Sequence, residues 1–121
     1  MKDNIREEIM DWINCLPDGW VTAFGEDLCN DLLHALGRYQ HDFVIDQIKE
    51  KYGQLRIYWH WRKIEYPIQI ADQLLEVSAH IQDIIECYTG LSSMTCARCG
   101  APAVLHIFNG WVEPLCDNCC N

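Results

Sequence analysis

Four of the eight cysteines in this chain fall at a spacing that can do chemistry: Cys96-Ala-Arg-Cys99 and, after sixteen intervening residues, Cys116-Asp-Asn-Cys119. A C-x2-C turn aims two sulfurs at one point, and two such turns at this separation form the pattern of a four-thiolate zinc site. Zn²⁺ takes four soft ligands in a tetrahedron. A shell closed by Cys96, Cys99, Cys116 and Cys119 leaves no position for water or substrate, so the expected zinc is structural rather than catalytic. Gly100 lets the chain bend just past the first pair. Two substitutions in the ligand set stay open: Cys120 directly follows Cys119, and His106 lies between the two pairs.

Other candidate chemistry is sparse. Cys15, Cys29 and Cys87 fall in helical segments and are expected as small buried or half-buried side chains. No local signature joins His34, His41, His60, His80 or His106 to a cysteine. The chain has no glycine-rich phosphate loop, no G-x-S-x-G and no H-E-x-x-H. These observations argue against an enzyme and against a small-molecule substrate. A zinc hydrolase would need an open metal position.

The elements that must position the cysteines follow from periodicity. Ile5, Ile9, Trp12, Ile13 and Leu16 mark one face of a helix over 4–16, capped by Asn4, with Glu7 three residues on. Pro17-Asp18-Gly19 is expected to end that helix and turn the chain. A second helix is predicted over 22–38, with Phe24, Leu28, Leu32, Ala35, Leu36 and Tyr39 on its apolar face, Gly25 in its first turn and Gly37 at its end. Strands follow over 43–51 and 55–62, joined by Tyr52-Gly53-Gln54. A bulge near Asp46–Gln47 accounts for the slip in apolar phase. Leu55, Ile57, Trp59 and Trp61 should face inward, and Arg56, Tyr58, His60 and Arg62 outward. A long third helix is predicted from Pro67 to Tyr88, stopped by Thr89-Gly90. Its stripe is Ile70, Leu74, Val77, Ile81, Ile84 and Tyr88, widened by Ala71, Leu75, Ser78 and Ile85. Asn109-Gly110 between two apolar runs then predicts a tight hairpin pairing Phe108 with Trp111 and His106 with Glu113, with the zinc at its open end. The fold class is therefore α+β: two N-terminal helices, a β-hairpin, a long helix and a C-terminal four-cysteine zinc ribbon. Residues 1–91 form the helical and hairpin domain, and 92–121 form the zinc-ribbon module packed on it.

Charge is uneven along this plan. The formal net charge is −9, but residues 49–63 carry Lys49, Lys51, Arg56, Arg62 and Lys63 against Glu50 alone, a local +4 that leaves −13 on the rest. Basic groups beside Tyr58 on a strand face suit a nucleic-acid strand. The acidic remainder opposes a polyanion, so charge balance within the monomer or an acidic partner is preferred. The outer face of the third helix carries Asp72, Glu76, Asp83 and Glu86 and no base. It is a solvated face or a carboxylate surface for a basic cleft on another protein. No run is long and apolar enough to span a bilayer, and Met1 to Glu8 lack the apolar run of a signal peptide. A cytosolic chain is expected, where thiols stay reduced and bind metal.

Three stretches together carry a resemblance: Asp18-Gly-Trp20 ahead of Asp27-Leu-Cys29; Gln47 to Tyr58, with Lys49-Glu-Lys-Tyr-Gly-Gln-Leu-Arg-Ile-Tyr58 inside it; and the paired C-x2-C turns with Gly100, Gly110-Trp111 and Leu115. Over roughly 18–120 the chain resembles a group of small bacteriophage and prophage proteins with a GW before a helix, a KEKFGxLRFY hairpin and two terminal C-x2-C turns. Here Tyr52 and Ile57 replace the two phenylalanines of that hairpin. The family has no assigned activity to carry over. The resemblance implies a viral origin, action in a bacterial cytoplasm and a protein that binds and modulates a host or phage complex. The expectation is a non-enzymatic interaction protein that inhibits a host defence or nucleic-acid-handling assembly. Its candidate partner-binding residues are Lys49, Lys51, Arg56, Tyr58, Arg62, Asp72, Glu76, Asp83, Glu86 and Trp111. The alternative is a nucleic-acid-binding accessory protein using the 49–63 hairpin and the ribbon.

Overall fold

A computed structural model describes residues 4–62 and 68–120. Lys63 and Pro67, assigned above to the basic segment and the start of the third helix, lie outside the described residues. The architecture is α+β, with three helices and two antiparallel two-stranded sheets.

Helix α1 spans Ile5–Ile13, and the Asn4 side chain accepts a hydrogen bond from the Arg6 amide at 2.9 Å. That bond satisfies one of the open amides of the first turn. Ile9 and Ile13 are buried, and Leu16 follows them into the core. Pro17-Asp18-Gly19 does not form a turn. Helix α2 (18–36) begins there: α-helical over Asp18–Trp20, widened to a π turn over Val21–Gly25, and α-helical again over Glu26–Leu36. Pro17 precedes its first turn, where a missing amide costs nothing. Gly25 therefore stands inside the helix, in the π turn. Gly37, at φ +51, caps the helix, and a 3-10 turn over Gly37–Asp42 leads to the first sheet.

Strands β1 (Phe43–Lys51) and β2 (Gln54–Trp61) pair antiparallel with the expected register shift between Ile45 and Gln47. Tyr52 and Gly53 both have positive φ, the pattern of a type I′ turn. Leu55 and Ile57 are buried, while Tyr58 and His60 are exposed. Arg62 lies past the strand at the end of the hairpin remote from Lys51, where its Nε donates to the His41 carbonyl at 3.4 Å.

Helix α3 runs over Ile68–Ser92, a turn beyond the stop expected at Thr89-Gly90. Packing explains the extension. The Ser92 hydroxyl accepts from the Leu55 amide at 2.9 Å and donates to the Thr89 carbonyl at 2.6 Å, and the Thr89 hydroxyl lies 3.3 Å from the Leu55 carbonyl. The last turn thus satisfies outward backbone groups of β2 that would otherwise be buried unpaired. Among the described residues α3 is buried at Ile81, Ile85 and Tyr88, and Val77 and Ile84 pack partly buried against the core; Leu75 and Ala71, assigned above to the stripe, are exposed. Tyr88 also donates to the Asp31 carboxylate on α2. Strands β3 (Val104–Phe108) and β4 (Trp111–Leu115) form the C-terminal ribbon, with Phe108 opposite Trp111 and His106 opposite Glu113.

Trp20, Phe24, Leu28 and Leu32 of α2 join Ile9, Ile13, Leu55 and Ile81 in one core. Each large apolar side chain buried there contributes roughly 1.5–3 kcal/mol. Cys96, Leu115 and Cys116 form a second, small cluster. Gly19 joins the two clusters. Its amide donates to the Ala97 carbonyl at 2.8 Å, and a Cβ on it would stand 2.0 Å from the Cys96 carbonyl oxygen and 2.6 Å from the Gly100 amide nitrogen. Backbone cannot yield as a flexible side chain can, so this approach needs glycine. Gly19→Ala is expected to destabilise the protein by roughly 3 kcal/mol, the upper range for overpacking. Urea unfolding checks this, with Gly25→Ala, whose Cβ would meet only the Ile13 side chain and Val21, expected to cost less.

Candidate metal centre

The first cysteine turn grows out of the end of α3. Cys96 N donates to the Ala101 carbonyl at 2.7 Å and Gly100 N to the Cys96 carbonyl at 3.0 Å, with Gly100 at φ +85. This closes a knuckle whose left-handed position suits glycine. A Cβ on Gly100 would stand 2.7 Å from the Gly19 carbonyl oxygen, so both glycines belong to one close backbone contact. The second knuckle follows β4, where the Cys119 and Cys120 amides both donate to the Cys116 carbonyl at 3.1 Å. The two knuckles are tied by Ala97 N to the Pro114 carbonyl at 2.9 Å. Next to them, the Trp20 indole donates to the Thr95 carbonyl at 2.9 Å and is fully buried.

The sulfurs of Cys96, Cys99, Cys116 and Cys119 all lie within 4.8 Å of one another. Four thiolates bound at ~2.3 Å to one ion would stand ~3.8 Å apart, so the cluster has the dimensions of a tetrahedral thiolate site. Cys99 and Cys116 sulfurs are 3.5 Å apart, and all eight cysteines are free thiols. A disulfide would bring sulfurs to ~2.05 Å. The four cysteines could hold a metal ion.

Electrostatics point the same way. Burial opposes a thiolate at Cys96, but the amides of Cys116, Cys99 and Arg98 aim at its sulfur and, with the Cys99 thiol, bring it down to about 6. Hydrogen bonds from the Cys119 thiol to the Cys116 and Cys99 sulfurs, followed by burial, push Cys119 up to about 12. At Cys99 the Ala101 amide favours the anion, but the Cys116 and Cys96 sulfurs and burial outweigh it and raise the thiol. The surroundings of Cys96 favour its anion, while those of Cys99 and Cys119 oppose the same charge. A bound cation would let four thiolates share this space.

Cys120 stands apart from the cluster, with its thiol directed to the Asp117 carbonyl at 3.5 Å. His106 is half-buried on β3 and stacks on Phe108 at 5.9 Å; its Nε2 has no hydrogen-bond partner among the described residues, and it is outside the sulfur group. Cys29 is buried, which raises its thiol and leaves it inert. Cys15 and Cys87 are exposed, contrary to the buried or half-buried position expected of them. The other predicted residues do not form one surface. Lys49, Lys51, Arg56 and Tyr58 share the outward face of the first hairpin, Arg62 sits at its far end, and Asp72, Glu76, Asp83 and Glu86 are exposed along α3. The docking of Gly19 and Trp20 on the first knuckle was not found from sequence. Its one signal was the Asp18-Gly19-Trp20 triplet, which reads equally well as a turn. Among the described residues no helix is long and apolar enough to cross a membrane.

Serine at Cys96, Cys99, Cys116 or Cys119 is expected to abolish a one-to-one bound ion in metal analysis, whereas Cys120→Ser retains it. Protons compete for the same sulfurs, so acid is expected to release the ion, and cobalt-substituted protein should lose its sulfur-to-metal absorption as pH falls. Compared with known proteins, the chain matches no family model, no curated protein and no solved structure.

Proposed function

We propose that this chain is a non-catalytic interaction protein in which the four cysteines hold a structural Zn²⁺. In this reading it is a bacteriophage product that acts in the bacterial cytoplasm, where it binds and inhibits a host protein complex. Borderline-soft Zn²⁺ suits a four-thiolate shell in a reducing compartment. Such a shell is coordinatively full and offers no site for hydrolysis.

The observation that carries the reading is the surface of the ribbon. Side chains alternate across β3 and β4, yet both faces carry apolar groups. Leu105, Ile107, Val112 and Pro114 occupy one face; Val104, Phe108 and Trp111 occupy the other, with the His106–Glu113 pair between them. The first face is only partly covered, by the Gly53 turn: a Cβ on Gly53 would meet Leu105, Val112 and Pro114 side chains. Ile107 remains 74% exposed and Val104 65%. Apolar surface gathered on one projecting element and left to water supports the reading of an interface with another protein. The exposed carboxylates of α3 supply a second, charged contact that selects a basic partner surface and speeds encounter.

Retention of partners from a bacterial lysate identifies the complex, and titration of the purified pair tests the surface. Ile107→Asp with Val104→Asp is expected to weaken binding at least ten-fold while leaving the bound metal and the unfolding midpoint unchanged. Lysine at Asp72, Glu76, Asp83 and Glu86 is expected to slow association and reduce its salt dependence. Unaltered affinity in the ribbon variant would exclude this surface as the interface.

A further inference from the structure

Docking of the Gly53 turn against the ribbon brings the tips of the two hairpins together. A cleft of about 320 Å³ lies between them, lined by Glu50, Lys51, Tyr52, Gly110, Trp111 and Val112. Two aromatic rings border this cleft and both are largely bare: Tyr52 is 68% exposed and Trp111 64%.

Tyr52 holds an unfavourable backbone conformation to stand there. Its φ is +54, at the first position of a turn where asparagine or glycine is preferred. The other hairpin places Asn109, at φ +50, in the equivalent position. A bulky residue in the left-handed region is strained, and at Tyr52 no burial of the ring compensates. Such strain, held at an exposed aromatic, points to use of the ring by a ligand.

The charges beside the cleft point to the kind of ligand. Lys49 and Arg56 are directly opposite each other on β1 and β2, and Lys51 shares their face. Like charges placed directly across a sheet repel. Among the described residues none of the three makes an ion pair, and Arg56 Nε is buried without a hydrogen-bond partner. Lys51 Nζ lies 5.7 Å from the Tyr52 ring and Lys49 Nζ 5.9 Å from the Tyr58 ring, so cations and rings alternate away from the cleft. Two acids are close. Glu50 is engaged by the Gly53 amide at 2.7 Å, and Glu86 lines the groove beside Arg56 without pairing to it.

We propose that the cleft between the hairpin tips binds single-stranded nucleic acid, with a base stacked on Tyr52 and Trp111 and the flanking phosphates on Lys51, Lys49 and Arg56. Rings presented at the tips of ribbons reach bases only where those bases are unstacked, which selects a single strand over a duplex. The site shares Trp111 and Val112 with the apolar ribbon surface proposed above, but Tyr52, Lys49, Lys51 and Arg56 lie outside that surface, so Tyr52→Asn tests this site while Ile107→Asp with Val104→Asp tests the other.

Fluorescence anisotropy of labelled oligothymidylate and oligouridylate of about 12 nucleotides tests it at about 50 mM salt, with a duplex of equal length and poly-glutamate as competitors. Wild-type protein is expected to bind a single strand, with the duplex and poly-glutamate competing at least ten-fold less well. Tyr52→Asn relieves the turn, so its melting temperature should equal or exceed that of wild type while affinity falls about ten-fold. Trp111→Ala should lose a similar factor. Lys49→Gln and Lys51→Gln should each lower the salt slope by about 0.7. The proposal is overturned by absence of binding to either single strand, by equal competition from duplex, or by a folded Tyr52→Asn protein that binds as wild type does. Equal competition by poly-glutamate would also overturn it and assign the face to an acidic protein.

Discussion

The contact between Gly19 and the Cys96–Gly100 knuckle is the constraint on which the rest of the molecule depends. Two stretches of backbone meet with no side chain between them, and a single methyl group on Gly19 would fall 2.0 Å from a carbonyl oxygen. The contact fixes the start of α2 against the cysteine knuckle, and the buried Trp20 indole bond to Thr95 fixes its rotation. Because α2 also supplies Phe24, Leu28 and Leu32 to the main core, the orientation of the cysteine module is set by the same helix that organises the N-terminal part. Without this contact the cysteine module would lose its closest backbone attachment to α2.

A metal held at the four sulfurs would then act as a clamp. The second core cluster contains little besides the cysteines and Leu115, too small an apolar core to hold two knuckles and a two-stranded ribbon by burial alone. Metal bonds would replace that missing burial. In small thiolate modules they contribute on the order of 10 kcal/mol to folding. The clamp holds the base of the ribbon, while its far end, with Ile107, Phe108 and Trp111, projects into solvent beside the Tyr52 turn. Metal binding at the sulfurs and the recognition proposed for the tips would thus be separated along one element. This division is why a filled metal shell is compatible with a binding function.

Much of this was legible in the sequence because local rules govern it. Asn109-Gly110 dictates a two-residue turn, the slip of apolar phase at Asp46–Gln47 requires a bulge, and Asn4 caps α1. The C-x2-C spacing marks the sulfur cluster for the same reason. What was misread depends on tertiary contact. Pro17-Asp18-Gly19 has turn composition, yet Gly19 serves close helix-to-knuckle approach rather than a turn. Thr89-Gly90 looks like a helix stop, but hydrogen bonds to Leu55 carry α3 through it. Leu75 fits the stripe by spacing alone, yet it is 69% exposed, while Val77 two residues on packs against the core. The cleft between the tips could not be read at all, since it arises from Gly53 meeting Leu105, Val112 and Pro114 on the other hairpin.

Residue-resolved amide hydrogen exchange with and without metal tests the central claim most directly, because the clamp, the Gly19 contact and the main core report at separate amides. If the sulfur-bound ion holds the knuckles to α2, its removal should strip protection from the Gly19, Cys96 and Ala97 amides while Leu28 and Leu32 stay protected. Unchanged protection at Gly19 and Cys96 after complete metal removal would contradict the account, and would mean that packing alone holds the ribbon in place.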